Sequence, residues 1–195
     1  MTLTEIPLFK SFFSRMTLVH TNQKTGIMKN TIRDLYLEQL LDIHSAESQL
    51  LEALPRLAIK ATDKDLKKAF SEHLEESNGQ LDRIVETIGR HTSIQAGSHT
   101  CEAMKGLLRE GEEALQDIGD SIVVDIHLIA AASRVEHYEI AAYQSALSMA
   151  EALNEKDDAD NLKKSLKQEE DAAGNLNKLA DGGIFSKGLT DQAVE

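Results

Sequence analysis

The stretch of sequence that decides the fold lies in the second half of the chain, where residues 122–150 read IVVDIHLIAAASRVEHYEIAAYQSALSMA. This stretch contains no glycine or proline, and its inward residues recur at intervals of three and four, from Ile122 to Ala150. Such spacing is that of one face of an α-helix. Three further stretches, 32–57, 66–88 and 162–180, show the same spacing. The pattern therefore predicts four long amphipathic helices.

The segments between these stretches contain the usual signals for the ends of helices. Pro55 should kink the first helix or end it near Leu54, and Gly182-Gly183 should end the fourth. A shorter helix is expected from Cys101 to Leu115. The prediction is an all-α, antiparallel four-helix bundle over residues 30–182, with a short connecting helix between helices 2 and 3. Residues 1–29 are expected to form a flexible N-terminal extension, and residues 183–195 a C-terminal tail.

Charge and composition exclude several classes of partner. The chain has 195 residues, with 33 acidic and 21 basic side chains and a net charge of −12. Proteins that bind the phosphate backbone or an anionic membrane surface need clustered lysine and arginine, so no nucleic-acid or membrane partner is expected. The longest apolar run, residues 128–132, is far shorter than a membrane span. A single cysteine, Cys101, fits a reducing cytoplasm.

Each of the four apolar stripes is interrupted near its middle by a residue that can ionise or bind a metal. A lone glutamate on such a stripe is ordinarily at its edge, where it reaches water. Here the interruption occurs on all four predicted helices, at a level where antiparallel neighbours would meet. Residues three or four apart share a helix face, so each helix directs at least one such group towards the core. These residues are Glu47, His73, Glu76, Glu136, Glu139 and Glu169.

The cost of burying charge limits what this pattern can mean. A buried ion costs several kcal/mol, and five uncompensated carboxylates would exceed the whole stability of a domain, about 5–15 kcal/mol. The carboxylates are therefore either exposed or neutralised. Two divalent cations would neutralise most of the charge, and carboxylates with an imidazole suit iron or manganese. Carboxylate sites in the cores of helical bundles are known for both metals.

Three segments resemble one known family. They are residues 42–50 (DIHSAESQL, followed by Leu54-Pro55), residues 70–76 (FSEHLEE) and residues 135–143 (VEHYEIAAY). Over roughly residues 30–182 the chain is similar to the YciE/YciF family of bacterial ferritin-like proteins, whose enzymatic activity is unassigned. The resemblance implies a ferritin-like bundle, a homodimer, a carboxylate-bridged dinuclear metal centre and a part in stress responses.

The resemblance also implies which positions bind metal: Glu47, His73, Glu76, Glu136, Glu139 and Glu169. The chain departs from the usual ferritin-like pattern, in which two helices each have a glutamate followed by a histidine three residues later. Here His73 precedes Glu76, and Ala172 stands where a histidine would follow Glu169. This departure leaves the metal open, with two ions of iron expected first and manganese as the alternative.

Two classes of function are compatible with these observations. In the first, a dinuclear metal centre in the bundle core acts on oxygen or peroxide during stress. In the second, the bundle is a structural or interaction protein of the stress response whose metal site is empty or vestigial. An iron-storing shell that protects DNA is less favoured, because the chain has no basic tail. No catalytic residue is assigned.

Overall fold

A computed structural model of the chain describes residues 30–183 and 186–194. The predicted N-terminal extension, residues 1–29, lies outside these residues. The described part is almost entirely helical, apart from two short paired strands near its end. The elements are α1 (Ile32–Lys60), α2 (Lys64–Gly89), α3 (Glu102–Ala114), α4 (Ser121–Ala152), α5 (Lys156–Asp181), β1 (Gly182–Gly183), β2 (Ser186–Lys187) and α6 (Leu189–Gln192).

The four long helices form an antiparallel bundle. Helix α1 packs against α2 and α4, and α5 packs against α4 and α2. Short connections join α1 to α2 and α4 to α5, whereas α2 and α4 are joined by residues 90–120, which include α3. A bundle with one long crossover connection is the ferritin-like arrangement. The predicted all-α fold, including the short connecting helix between the second and third long helices, is therefore confirmed.

Side chains at the helix starts explain why the helices begin where they do. Thr31 and Asp34 form a capping box at the start of α1, and Asp63 accepts hydrogen bonds from the first backbone N–H groups of α2. Asp120 caps α4, where its side chain accepts a hydrogen bond from the backbone N–H of Ile122. Of the two outcomes predicted at Pro55, a kink or an end near Leu54, the second is wrong, since α1 continues to Lys60. Pro55 lies on the exposed side of α1. Proline has no N–H to donate to the carbonyl four residues earlier, and on this side water can donate to that carbonyl instead.

The apolar core consists of two clusters that lie towards opposite ends of the bundle. The first apolar cluster surrounds Tyr36, Leu40 and Ile84, and the second surrounds Leu54 and Phe70. On each long helix the ionisable residues predicted at the middle of the stripe fall between residues of the two clusters. No helix among the described residues is both long and apolar enough to cross a bilayer.

The predicted C-terminal tail contains secondary structure close to the end of α5. Gly182, at φ +80° and ψ −176°, ends α5 in a conformation that is essentially restricted to glycine. Strand β1 then pairs with β2, and the buried Leu189 of α6 packs in the second apolar cluster. Gly188 lies so close to the end of α5 that a Cβ there would be 2.1 Å from the Ala180 carbonyl oxygen.

Replacing Gly188 by alanine should therefore loosen this C-terminal segment. The added methyl group overlaps backbone atoms, which cannot move aside as a flexible side chain could. We therefore expect the free energy of unfolding to fall by about 1–3 kcal/mol. Thermal unfolding would show a lower Tm, and hydrogen exchange would show faster exchange at residues 188–194. Gly106→Ala is the control, because open space surrounds Gly106 within α3 and alanine should stabilise that helix by about 0.5–1 kcal/mol. Equal stability of Gly188→Ala and wild type would contradict this close packing.

Candidate metal centre

Five of the six predicted ligands lie in the middle of the bundle, away from water. Glu47 comes from α1, His73 from α2, Glu136 and Glu139 from successive turns of α4, and Glu169 from α5. Each of these residues is no more than 5% exposed. They are buried because each occupies a position on the apolar stripe of its helix. We call these five residues the inner cluster.

Four members of the inner cluster offer ligand atoms to a common point. His73, Glu136, Glu139 and Glu169 each have one ligand atom within 4.8 Å of the corresponding atoms of the other three. Nε2 of His73 lies 3.5 Å from Oε1 of Glu136 and 3.9 Å from Oε2 of Glu169. Small side-chain movements would therefore bring one nitrogen and three oxygens into the coordination shell of a single ion.

Glu47, the fifth member, faces the same space from α1. Its Oε1 accepts a 2.5 Å hydrogen bond from the buried hydroxyl of Tyr143, whereas its Oε2 has no hydrogen-bond partner. Burial is the largest cause of the raised pKa of Glu136 and of Glu139, and the charge of Glu47 raises the pKa of both further. The sequence places Tyr143 on the inner face of its helix, and the structure shows that it orients a carboxylate there.

Glu76, the sixth predicted ligand, lies apart from the others. Its side chain is 40% exposed, and its Oε2 is 3.8 Å from Nδ1 of His73. It does not belong to the group of four whose ligand atoms converge. Glu76 instead lines a cleft between α2 and α5 that opens onto His73 and Glu136.

Burial and mutual repulsion shift the ionisation of the inner cluster. Burial is the largest cause, and it raises the pKa of all four glutamates above the usual value of 4.5. The charge of Glu169 raises the pKa of each of the other three further. The charge of His73 partly offsets the rise at Glu169. Without a cation, the cluster therefore binds protons more tightly than ordinary glutamates do.

Unsatisfied polar atoms are concentrated at this one level of the bundle. Among the described residues, nine buried side-chain nitrogen and oxygen atoms lack a hydrogen-bond partner. All of them belong to the inner cluster or to two neighbours on α2, Ser77 and Gln80. Buried polar atoms are normally paired, so this concentration is typical of a site that binds a ligand. A cation would satisfy carboxylate oxygens and an unprotonated imidazole nitrogen together, and these donors therefore fit a divalent metal.

Two residues that adjoin this space were not predicted from the sequence. Nε2 of Gln80 donates a hydrogen bond to Oε1 of Glu169, and the Ser77 hydroxyl is fully buried beside it in the stripe. Their signal was present, because Phe70, His73, Ser77, Gln80 and Ile84 follow one another at intervals of three and four. The predicted stripe instead follows the apolar Leu81, because the pattern is read from apolar residues.

Comparison with known proteins agrees with the fold. The family described as a domain of unknown function, DUF892, matches residues 31–188. Protein YciF of Escherichia coli (strain K12) is 38% identical over 157 residues, which cover 80% of this chain and 95% of YciF.

Two solved structures are similar to the chain along most of its length. The E. coli stress protein YciF matches with a TM-score of 0.73 and 38% identity, covering 77% of this chain and 94% of YciF. YcfI from Rhodopseudomonas palustris, for which a structural role has been suggested, matches with a TM-score of 0.75 and 34% identity, covering 80% of this chain and 99% of YcfI. The resemblance to YciF-type proteins is therefore confirmed, and the chain belongs to the DUF892 family.

Proposed function

We propose that this protein binds a carboxylate-bridged dinuclear centre of divalent metal ions in the inner cluster, with iron as the first candidate and manganese as the second. The observation that carries the proposal is the concentration of unpartnered buried oxygen and nitrogen atoms at one level of the bundle. Four helices contribute to this level, and nothing else in the described residues leaves comparable buried atoms without partners.

The charge of the inner cluster supports two ions rather than one. Its four glutamates contribute four negative charges when ionised, and two divalent ions would balance them. One ion suits the group of four ligand atoms around His73. Glu47 brings a further carboxylate with one unpartnered oxygen. Besides burial, which is the largest cause, the charge of Glu47 raises the pKa of Glu136 and of Glu139. One imidazole among several carboxylates is a donor set suited to iron or manganese.

Neighbouring residues hold these side chains in place for a metal. Tyr143 holds one oxygen of Glu47 and Gln80 holds one oxygen of Glu169, which leaves the second oxygen of each without a partner. Such outer hydrogen bonds fix the orientation of ligands. The two apolar clusters exclude water from both ends of the site. Two redox-active ions, when bound, would supply electrons to oxygen or peroxide. Such chemistry would suit a protein whose relative YciF is a stress protein.

A second candidate function is a structural or interaction role without metal. It is favoured by the similarity to YcfI, for which a structural role has been suggested. The two candidates differ in one measurable property, the metal content of protein purified without a chelator.

Neutralising Glu169 should abolish most metal binding. Because a ligand atom of Glu169 lies within 4.8 Å of those of His73, Glu136 and Glu139, Glu169→Gln removes a central ligand while nearly preserving side-chain shape. We expect elemental analysis to find about two iron or manganese ions per chain in wild type and less than one in the variant. The matched control is Glu170→Gln, whose side chain is exposed on the same helix and which should bind metal as wild type does. Wild-type protein that lacks metal and gains no Tm from added Fe(II) or Mn(II) would favour the structural role.

The gain in Tm on metal binding should increase with pH. An unfolded glutamate loses its proton near pH 4.5, whereas the folded inner cluster keeps protons to higher pH. Between these values the folded state binds more protons, so the metal-free protein loses stability as pH rises. In the loaded protein the cations take the place of the protons, and this loss should not occur. Thermal unfolding from pH 5 to pH 8, with chelator and with Mn(II), measures the difference.

Glu139→Gln provides the control for this pH effect. Both oxygens of Glu139 lack partners, and an amide cannot ionise. The metal-free variant should melt about 2–4 °C above metal-free wild type at pH 8, corresponding to about 1 kcal/mol, with a smaller difference at pH 5. A Tm gain that is the same at every pH would contradict the ionisation described for the inner cluster.

A further inference from the structure

We infer that the cleft between α2 and α5 is the route by which divalent cations enter the bundle, and that Glu75 and Glu76 form a transient outer cation-binding site along it. Nδ1 of His73 joins this site only while Nε2 is not bound to an inner ion, because a neutral imidazole donates one lone pair. The inference rests on the proposed metal centre. It gives Glu76 a role different from that of an inner ligand, in accord with its position at the cleft.

The cleft connects the outside of the bundle to the inner cluster. It has a volume of about 500 Å³ and is bordered on α2 by Glu72, Glu75 and Glu76 and on α5 by Gln168, Ala172 and Asn175. A hydrated ion can pass through a space of this size. Ala172 contributes to the width, since a larger side chain at that position would project into the opening.

Two residues of the inner cluster line the cleft. His73 and Glu136 are each at least 95% buried. Both ring nitrogens of His73 and Oε2 of Glu136 lack a hydrogen-bond partner. The imidazole stands between the cleft and the interior. Its Nδ1 lies 3.8 Å from Oε2 of Glu76, and its Nε2 lies 3.5 Å from Oε1 of Glu136. A cation held by Glu76 is therefore one imidazole ring away from the inner carboxylates.

The charges around the cleft select for cations. Four carboxylates, three near the opening and that of Glu136 at the inner end, and two amides line it, and no lysine or arginine does so among the described residues. Lys68 forms an ion pair of 3.1 Å with Glu72, so Glu75 and Glu76 carry most of the attraction. A cleft lined with one sign of charge raises the local concentration of the opposite ion and repels ions of like charge. The lining therefore favours a divalent cation and disfavours an anionic substrate.

A second cavity also reaches Glu136, but it is unsuited to ions. It lies between α1, α3 and α4, has a volume of about 20 Å³ and is lined mainly by leucine and alanine side chains. Such a space holds about one water molecule at most, and its walls offer an ion no replacement for its hydration shell. The cleft between α2 and α5 is thus the better route of the two.

The rate of metal uptake tests the route separately from the metal centre itself. Apoprotein is mixed with Mn(II) alone, and the loss of the EPR signal of free Mn(II) gives the uptake rate, while elemental analysis gives the final content. The double variant Glu75→Gln/Glu76→Gln should take up Mn(II) about 10-fold more slowly at low salt, with a smaller difference at high salt, and should reach the wild-type content. Glu151→Gln/Glu170→Gln, which changes net charge equally at exposed positions elsewhere, should load as wild type does.

A steric variant tests the same route without a change in charge. Ala172→Leu narrows the cleft, and it should slow Mn(II) uptake at all salt concentrations while leaving the final content unchanged. Wild-type uptake rates in both cleft variants would overturn the entry route. A final Mn(II) content that falls in Glu75→Gln/Glu76→Gln would also overturn it, by showing that these residues belong to the inner centre. A wild-type protein that binds no Mn(II) would instead remove the proposed metal centre.

Discussion

Repulsion among buried carboxylates is the constraint on which the rest of this structure depends. Four glutamates from three helices meet where water does not reach, and each is harder to ionise because of burial and of its neighbours. Such a group is stable only when protons or cations balance its charge. Tyr143 and Gln80 each donate a hydrogen bond to one of these carboxylates and so orient it. The second oxygen of each of these two carboxylates still has no hydrogen-bond partner.

The long helices determine that these side chains meet at one level. Apolar clusters above and below the carboxylates keep α1, α2, α4 and α5 in register. A shift of one residue along a helix would turn each side chain by about 100°, away from the centre. The buried Asp125 on α4 strengthens the same register, because it accepts hydrogen bonds from the backbone N–H groups of Thr62 and Asp63 between α1 and α2. Packing at the ends therefore fixes the geometry in the middle.

The spacing of apolar residues was enough to predict that Glu47, Glu136 and Glu169 face the interior, because each lies well inside its stripe. The same spacing could not distinguish Glu76 from Ser77 on α2. Adjacent residues differ by about 100° around a helix, and the edge of a stripe is set by how far the neighbouring helix covers it. Glu76 lies beside the open cleft between α2 and α5, whereas Ser77 is fully buried. The pairing after Gly182 also needed tertiary information, since it depends on the close approach of Gly188 to α5.

A purely structural role accounts less well for the interior of this bundle. Replacing buried charged groups by apolar residues of similar size is often neutral or stabilising, so a bundle needed only for its shape gains nothing from four buried glutamates. The chain nevertheless has them at the point where its helices meet, with a histidine among them and an acidic cleft beside them. The buried carboxylates and the acidic cleft are explained together if the carboxylates bind a cation that enters through the cleft. A structural role would explain neither the convergence of ligand atoms nor the opening that leads to them.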